Sequence, residues 1–132
     1  MLFRSFRGTA GTAITKVFDY ALAHTGLSLT EATSAGFDAV QFERTSRSRA
    51  GYYPGSKPLK VRIVVERRTR RLLGAQMLGE EGVVGRIDAL ATALFARMSV
   101  DDVHQLDLAY APPFGPVYDA IIDVCGRAAL EL

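Results

Sequence analysis

Residues 59–66, LKVRIVVE, limit what this chain can fold into more than any other stretch. Leu59, Val61, Ile63 and Val65 alternate with Lys60, Arg62 and Val64, the period of a strand with one covered face. RRTR at 67–70 reads as a turn, and RLLGAQMLG at 71–79 returns as a second arm with Leu73, Ala75 and Met77 on one side. The whole predicts an antiparallel hairpin. A helix follows directly. In GVVGRIDALATALFARM, 82–98, Val83 or Val84, Ile87, Leu90 or Ala91, Leu94 and Met98 recur at helical spacing.

The flanks add elements of both kinds. GTAGTAITK, 8–16, is small, polar and aperiodic, and residues 1–16 read as a lead-in segment to a domain spanning 17–132. KVFDYALAHTG, 16–26, predicts one strand, with helix as its competitor because of the alanines. In SLTEATSAG, Ser28 and Glu31 have capping-box spacing and Gly36 suits a helix stop. FDAVQFERTSRS, 37–48, predicts a strand with Val40 and Phe42 on its apolar side, followed by a loop punctuated by Gly51, Pro54, Gly55 and Pro58. Ser99 caps a short helix, with Asp102 at its third position. Pro116 stands at the favoured first position of a final helix. That helix carries two apolar faces: Val117, Ala120, Ile121 and Val124 on one, Tyr118, Ile122, Cys125 and Ala129 on the other. Two such faces need two covering surfaces, the chain's own sheet and a second subunit. Helices grouped after strands define a two-layer α+β domain, an antiparallel sheet covered by helices.

The residues that carry chemistry do not assemble into a catalytic set. The 132 residues make one domain with a net charge of only +2. His24 and His104 lack neighbours at metal-ligand spacing. The single cysteine, Cys125, lies mid-helix as a packing residue and fits a reducing, cytoplasmic setting. The opening MLFRSFRG is broken by Arg4 and Arg7 and does not read as a signal peptide, and no apolar run reaches membrane-spanning length. GEEGVVGR, 79–86, is a glycine-rich turn between strand and helix, but its spacing is not G-x-G-x-x-G and Glu80 and Glu81 would repel an anion. Arg67, Arg68, Arg70 and Arg71 crowd the hairpin turn. A nucleic-acid contact through them is the alternative function; a solvated turn protecting a sheet edge competes with it and ranks well above it.

The loop tyrosines raise a sharper question. In LDLAYAPPFGPVYDA, 106–120, Tyr110 and Phe114 flank Pro112 and Pro113. Proline fixes its own φ and restrains the preceding residue, so the pair holds these aromatics in set positions. Tyr52 and Tyr53 occupy a second proline-punctuated loop. Together they suggest a partial site that another chain or domain completes.

Four stretches, GTAITKVFDYALAHTGLS, YYPG, LLGAQMLGEEGVVGRIDALATAL and LDLAYAPPFGPVYD, carry a family resemblance and run in the family's order over nearly the whole chain. The chain resembles the C-terminal dimerisation domain of FAD-dependent pyridine nucleotide-disulfide oxidoreductases, closest to the coenzyme A-disulfide reductase and NADH oxidase branch. The resemblance implies a homodimer in which each subunit's C-terminal domain lends loop tyrosines to its partner's active site. Carried over by motif, Tyr110 is the leading catalytic candidate in trans, Tyr53 the next and Tyr52 a less certain neighbour. FAD and NAD(P)H are implied for the parent enzyme and its other domains. This chain has no G-x-G-x-x-G fingerprint, no redox-cysteine motif and no His-Glu pair in the AYAPPF loop. It is therefore expected to hold no cofactor and to be inactive alone.

Overall fold

The computed structural model describes residues 8–132. The MLFRSFR stretch, read above as no signal peptide, lies outside the described residues. The elements are β1 (Ala13–Val17), β2 (Tyr20–Gly26), α1 (Leu29–Ser34), β3 (Ala39–Arg47), β4 (Pro58–Glu66), β5 (Leu72–Gly79), α2 (Val83–Phe95), α3 (Val100–His104) and α4 (Ala120–Glu131). Five strands form one antiparallel sheet in the order β1-β2-β5-β4-β3. This is the two-layer α+β architecture read from the sequence.

The alternation of β4 does what its period requires. Leu59, Val61, Ile63 and Val65 are buried on the helix side beside Met77, Ile87, Leu90, Ile121 and Val124. Each such side chain contributes about 1.5–3 kcal/mol of apolar transfer on burial. Val64 points the other way and joins Ala32 and Leu73 in a smaller cluster under α1. Both capping boxes form. The Ser28 hydroxyl accepts from Glu31 N while the Glu31 carboxylate accepts from Ser28 N, and Ser99 and Asp102 repeat the arrangement. The backbone N–H bonds hold both carboxyls below their ordinary range.

Four expectations are corrected. The strand predicted over 16–26 is a hairpin: β1 pairs with β2 about Phe18 and Asp19, and Phe18 takes φ 52. Residues 13–16, read as lead-in, thus belong to the sheet. Leu73 does not share a face with Ala75 and Met77, because a bulge between Val64 and Val65 pairs Val64 with Gly74 and Val65 with Leu72. Leu72 therefore enters the main core and Leu73 turns to the opposite face. Met98 lies beyond α2, which closes with Arg97 N donating to Leu94 O and Met98 N to Ala93 O, the paired bonds of a Schellman ending.

The final helix is also corrected. It starts at Ala120, where the Asp119 carboxylate caps it by accepting from Ile121 N. Val117 and Tyr118 consequently lie outside the helix and are exposed. Its second apolar face is largely covered by the chain itself. Cys125 is fully buried, and the His104 ring from α3 packs against Gly126. What remains open is a groove of about 430 Å³ whose apolar lining, Tyr118, Ile122, Ala129 and Leu130, is mixed with the charged Arg44, Asp123 and Arg127 beside His104 and Gly126.

Candidate functional site

Two loops meet at one end of the sheet, and each carries tyrosines. The first joins β3 to β4 and the second joins α3 to α4. They are joined by a backbone bond, Ala50 N donating to Pro112 O at 3.1 Å. Pro112 has no N–H, but its carbonyl makes this bridge, and Phe114 N then closes a tight turn onto Ala111 O at 2.9 Å. The proline pair thus fixes one loop against the other. Tyr110 precedes the turn and Phe114 follows it, both exposed.

The tyrosines are placed unequally. Tyr52 stands next to Tyr110, and hydrogen bonding from the Tyr110 hydroxyl toward Tyr52 is the chief cause that pushes the Tyr110 phenol above its ordinary value, with burial second. Tyr53 is half-buried, with the Arg49 guanidinium 5.9 Å from its ring centre, a cation–π contact worth about 0.5–1 kcal/mol where exposed. So the structure brings Tyr52 to Tyr110, and anchors Tyr53 to Arg49. Beside Tyr110 runs a cleft of about 170 Å³ lined by Leu106, Asp107, Leu108, Pro116 and Tyr118 among others.

The sequence shows Glu80 and Glu81 as an acidic turn that suits no anion, but not the partners that make them hold these loops. Arg49 Nε donates to Glu81 Oε1 and Oε2 at 3.1 and 2.9 Å, and the Ser48 hydroxyl donates to the same carboxylate at 2.9 Å. Arg49 and then Ser48 hold the Glu81 carboxyl below its ordinary range. Lys57 pairs with Glu80 at 3.3 Å. Glu80 and Glu81 thus clamp the first tyrosine loop. Arg86 Nε donates to both Asp119 oxygens, at 3.0 and 2.9 Å, and Asp119 ends the second loop.

The glycine-rich turn does not fit a dinucleotide phosphate. A side chain at Gly82 would collide with the Arg86 guanidinium, and one at Gly79 would come within 2.7 Å of Leu59. The space these glycines leave is already filled by the protein's own side chains.

The remaining candidates fall into structural roles. His24 stands on β2, and His104 Nδ1 is 3.2 Å from Ile122 O. Among the described residues, no group of three or more His, Cys, Asp or Glu side chains comes close enough to hold a metal. Of the hairpin arginines, Arg67 pairs with Asp38 at 3.7 Å, and Arg70 pairs with Asp101 at 3.0 Å and also donates to Ala129 O; Arg67 and Arg68 are exposed. Among the described residues no helix is long and apolar enough to cross a membrane. Burial pushes the Cys125 thiol up to about 12, which keeps it protonated, and unreactive, at neutral pH. Native protein is expected to resist Ellman's reagent at pH 8 and to release one thiol only on unfolding; rapid reaction of the folded chain would contradict this.

Comparison with known proteins shows the family and agrees with the fold. The family model described as the pyridine nucleotide-disulphide oxidoreductase dimerisation domain matches residues 12–120. The chain belongs to that family. It is 43% identical over 117 residues to a CoA-dependent NAD(P)H sulfur oxidoreductase of Pyrococcus abyssi, covering 89% of this chain and 26% of the relative. It is 37% identical over 127 residues to a coenzyme A disulfide reductase of Staphylococcus haemolyticus, covering 96% and 28%. An NAD-dependent persulfide reductase from A. fulgidus superposes with a TM-score of 0.93 at 40% identity, covering 96% of this chain and 24% of that one. The chain therefore spans about a quarter of the length of these relatives.

Proposed function

We propose that this chain is the homodimer-forming C-terminal domain of a flavin-dependent disulfide or persulfide reductase, and that Tyr110, with Tyr52 and Tyr53 beside it, serves the active site of the partner subunit. The observation that carries the reading is the family match over residues 12–120, joined to the exposed tyrosines Tyr52 and Tyr110 on two adjoining loops. FAD, NAD(P)H and the redox cysteine belong to domains other than this one, in a cytoplasmic enzyme.

The chemistry of Tyr110 suits such a role. A phenol whose pKa is raised stays protonated across neutral pH and can donate to a thiolate or a substrate sulfur. Its partner Tyr52 is exposed enough to yield its place to an incoming acceptor. The exposed Phe114, Val117, Tyr118 and Leu130 add apolar surface for a second subunit.

Subunit complementation tests the reading. A chimera is made in which this chain replaces the matching C-terminal segment of the Pyrococcus abyssi relative. One subunit carries Tyr110→Phe and the other lacks the redox cysteine of its flavin domain. Random pairing makes half the dimers mixed, each with one intact site, so turnover is expected to return to about a quarter of the unmutated value. No recovery above the sum of the two parents would refute lending across the dimer.

A further inference from the structure

The glycine-rich GEEGVVGR turn carries the residues that bind the two tyrosine loops together. We propose that Arg86, with Glu81 beside it, is the positioning device that sets the Tyr52-Tyr53 loop against the Tyr110 loop; the proposal rests on the reading of these loops as a lent site.

The guanidinium of Arg86 reaches three separate segments. Nη1 donates to Gly82 O at 2.9 Å, within its own turn. Nη2 donates to Ser48 O at 3.4 Å, where the first tyrosine loop begins. Nε and Nη2 grip Asp119, where the second loop ends and α4 begins. Glu81, on the same turn, holds Ser48 and Arg49 from the other side, and Arg49 in turn donates to Pro54 O at 3.1 Å and covers Tyr53. Both loops are therefore referenced to one rigid object, the first turn of α2. Gly82 takes φ 77 and leaves the room that the Arg86 side chain fills.

The energetics favour positioning over bulk stability. Arg86 and Asp119 keep only 11% and 18% of their side-chain surface exposed. Desolvating such a pair offsets much of its Coulombic gain, so what it contributes beyond an apolar pair is geometry. Lysine cannot reproduce that geometry, because its ammonium lacks the planar fork that serves a bidentate carboxylate and two carbonyls together.

The test reads the loops in this chain, without flavin or substrate. Tyrosines labelled at Cζ are titrated by NMR, with Tyr110 assigned by its Phe variant, and exchange of the Ala50 amide is measured. Asp107, Tyr118 and Asp119 line the same cleft as Tyr110, so the profile is recorded at two salt concentrations. In Arg86→Met and Arg86→Lys the sheet amides should stay protected. The Tyr110 midpoint should fall back toward the ordinary phenol value near 10 as its bond to Tyr52 is lost, and Ala50 exchange should rise roughly tenfold. Glu81→Gln should produce the smaller change of the same sign. An unchanged Tyr110 midpoint and Ala50 exchange rate in folded Arg86→Lys would overturn the proposal, and that variant decides should Arg86→Met not fold. These readouts are independent of the lending reading: a chimera indifferent to Tyr110→Phe would sink that reading and leave the loop measurements standing.

Discussion

Gly74→Ala should destabilise the domain by about 3 kcal/mol or more, lowering its melting temperature by roughly 10 °C. Gly74 lies at the bulge on β5, opposite Gly26 of β2. A Cβ at Gly74 would stand 2.6 Å from Leu27 N and 2.8 Å from Leu27 C, and closer still to its oxygen. These are backbone atoms with no rotamer to give. The chain passes there because Leu27 N donates to Leu73 O at 2.9 Å as it leaves the sheet toward α1. Gly26 is constrained at the same crossing: it has φ 67, and a Cβ there would lie 2.9 Å from Gly74 Cα. By contrast a Cβ at Gly85 meets nothing within 4 Å, and Gly85→Ala, inside α2, should stabilise slightly through helix propensity. Thermal unfolding of the two variants compares them directly. Equal melting temperatures would contradict the crossing described here.

Tyr110→Phe is the other large effect. In the chimeric reductase it should lower turnover by about a hundredfold, the lower end of what a positioned proton donor contributes, with little change in melting temperature. Only a hydroxyl is removed from a ring that is 46% exposed, so no core contact is lost. Tyr52→Phe should cost less, since it removes the resting partner of Tyr110 and not the donor itself. Tyr53→Phe should cost least, because the ring face that meets Arg49 is retained. The order Tyr110, Tyr52, Tyr53 is a prediction of the geometry, whereas the motif resemblance alone ranks Tyr53 above Tyr52.

Much of the fold is legible in the sequence where one local pattern decides. The alternation at 59–65 and the helical spacing from Val83 to Leu90 place residues on faces that the structure buries, and both capping boxes are local by nature. The failures occur where the deciding interaction is not local. Nothing in KVFDY announces that Phe18 will take a left-handed φ and turn the chain back. The bulge that flips Leu73 is a property of the pairing with β4, not of β5 alone. The start of α4 depends on Asp119, whose carboxylate is also held by Arg86, 33 residues earlier in the chain. The site divides the same way. The tyrosines and prolines stand out as residue types, but Arg86, Glu81, Arg49 and Asp119 become meaningful only once two loops and a helix turn are brought together. The one signal available was a turn whose acidic residues did not suit a phosphate; their partners proved to be Arg49, Ser48 and Lys57.

The central claim, that this chain is a dimer-forming domain, is tested most directly by sedimentation equilibrium of the purified protein from micromolar to millimolar concentration. The account predicts a reversible monomer–dimer equilibrium, shifted toward monomer when Tyr118 and Leu130, exposed beside the α4 groove, are changed to serine. A single species of monomer mass, 14.3 kDa, across the whole range would contradict it.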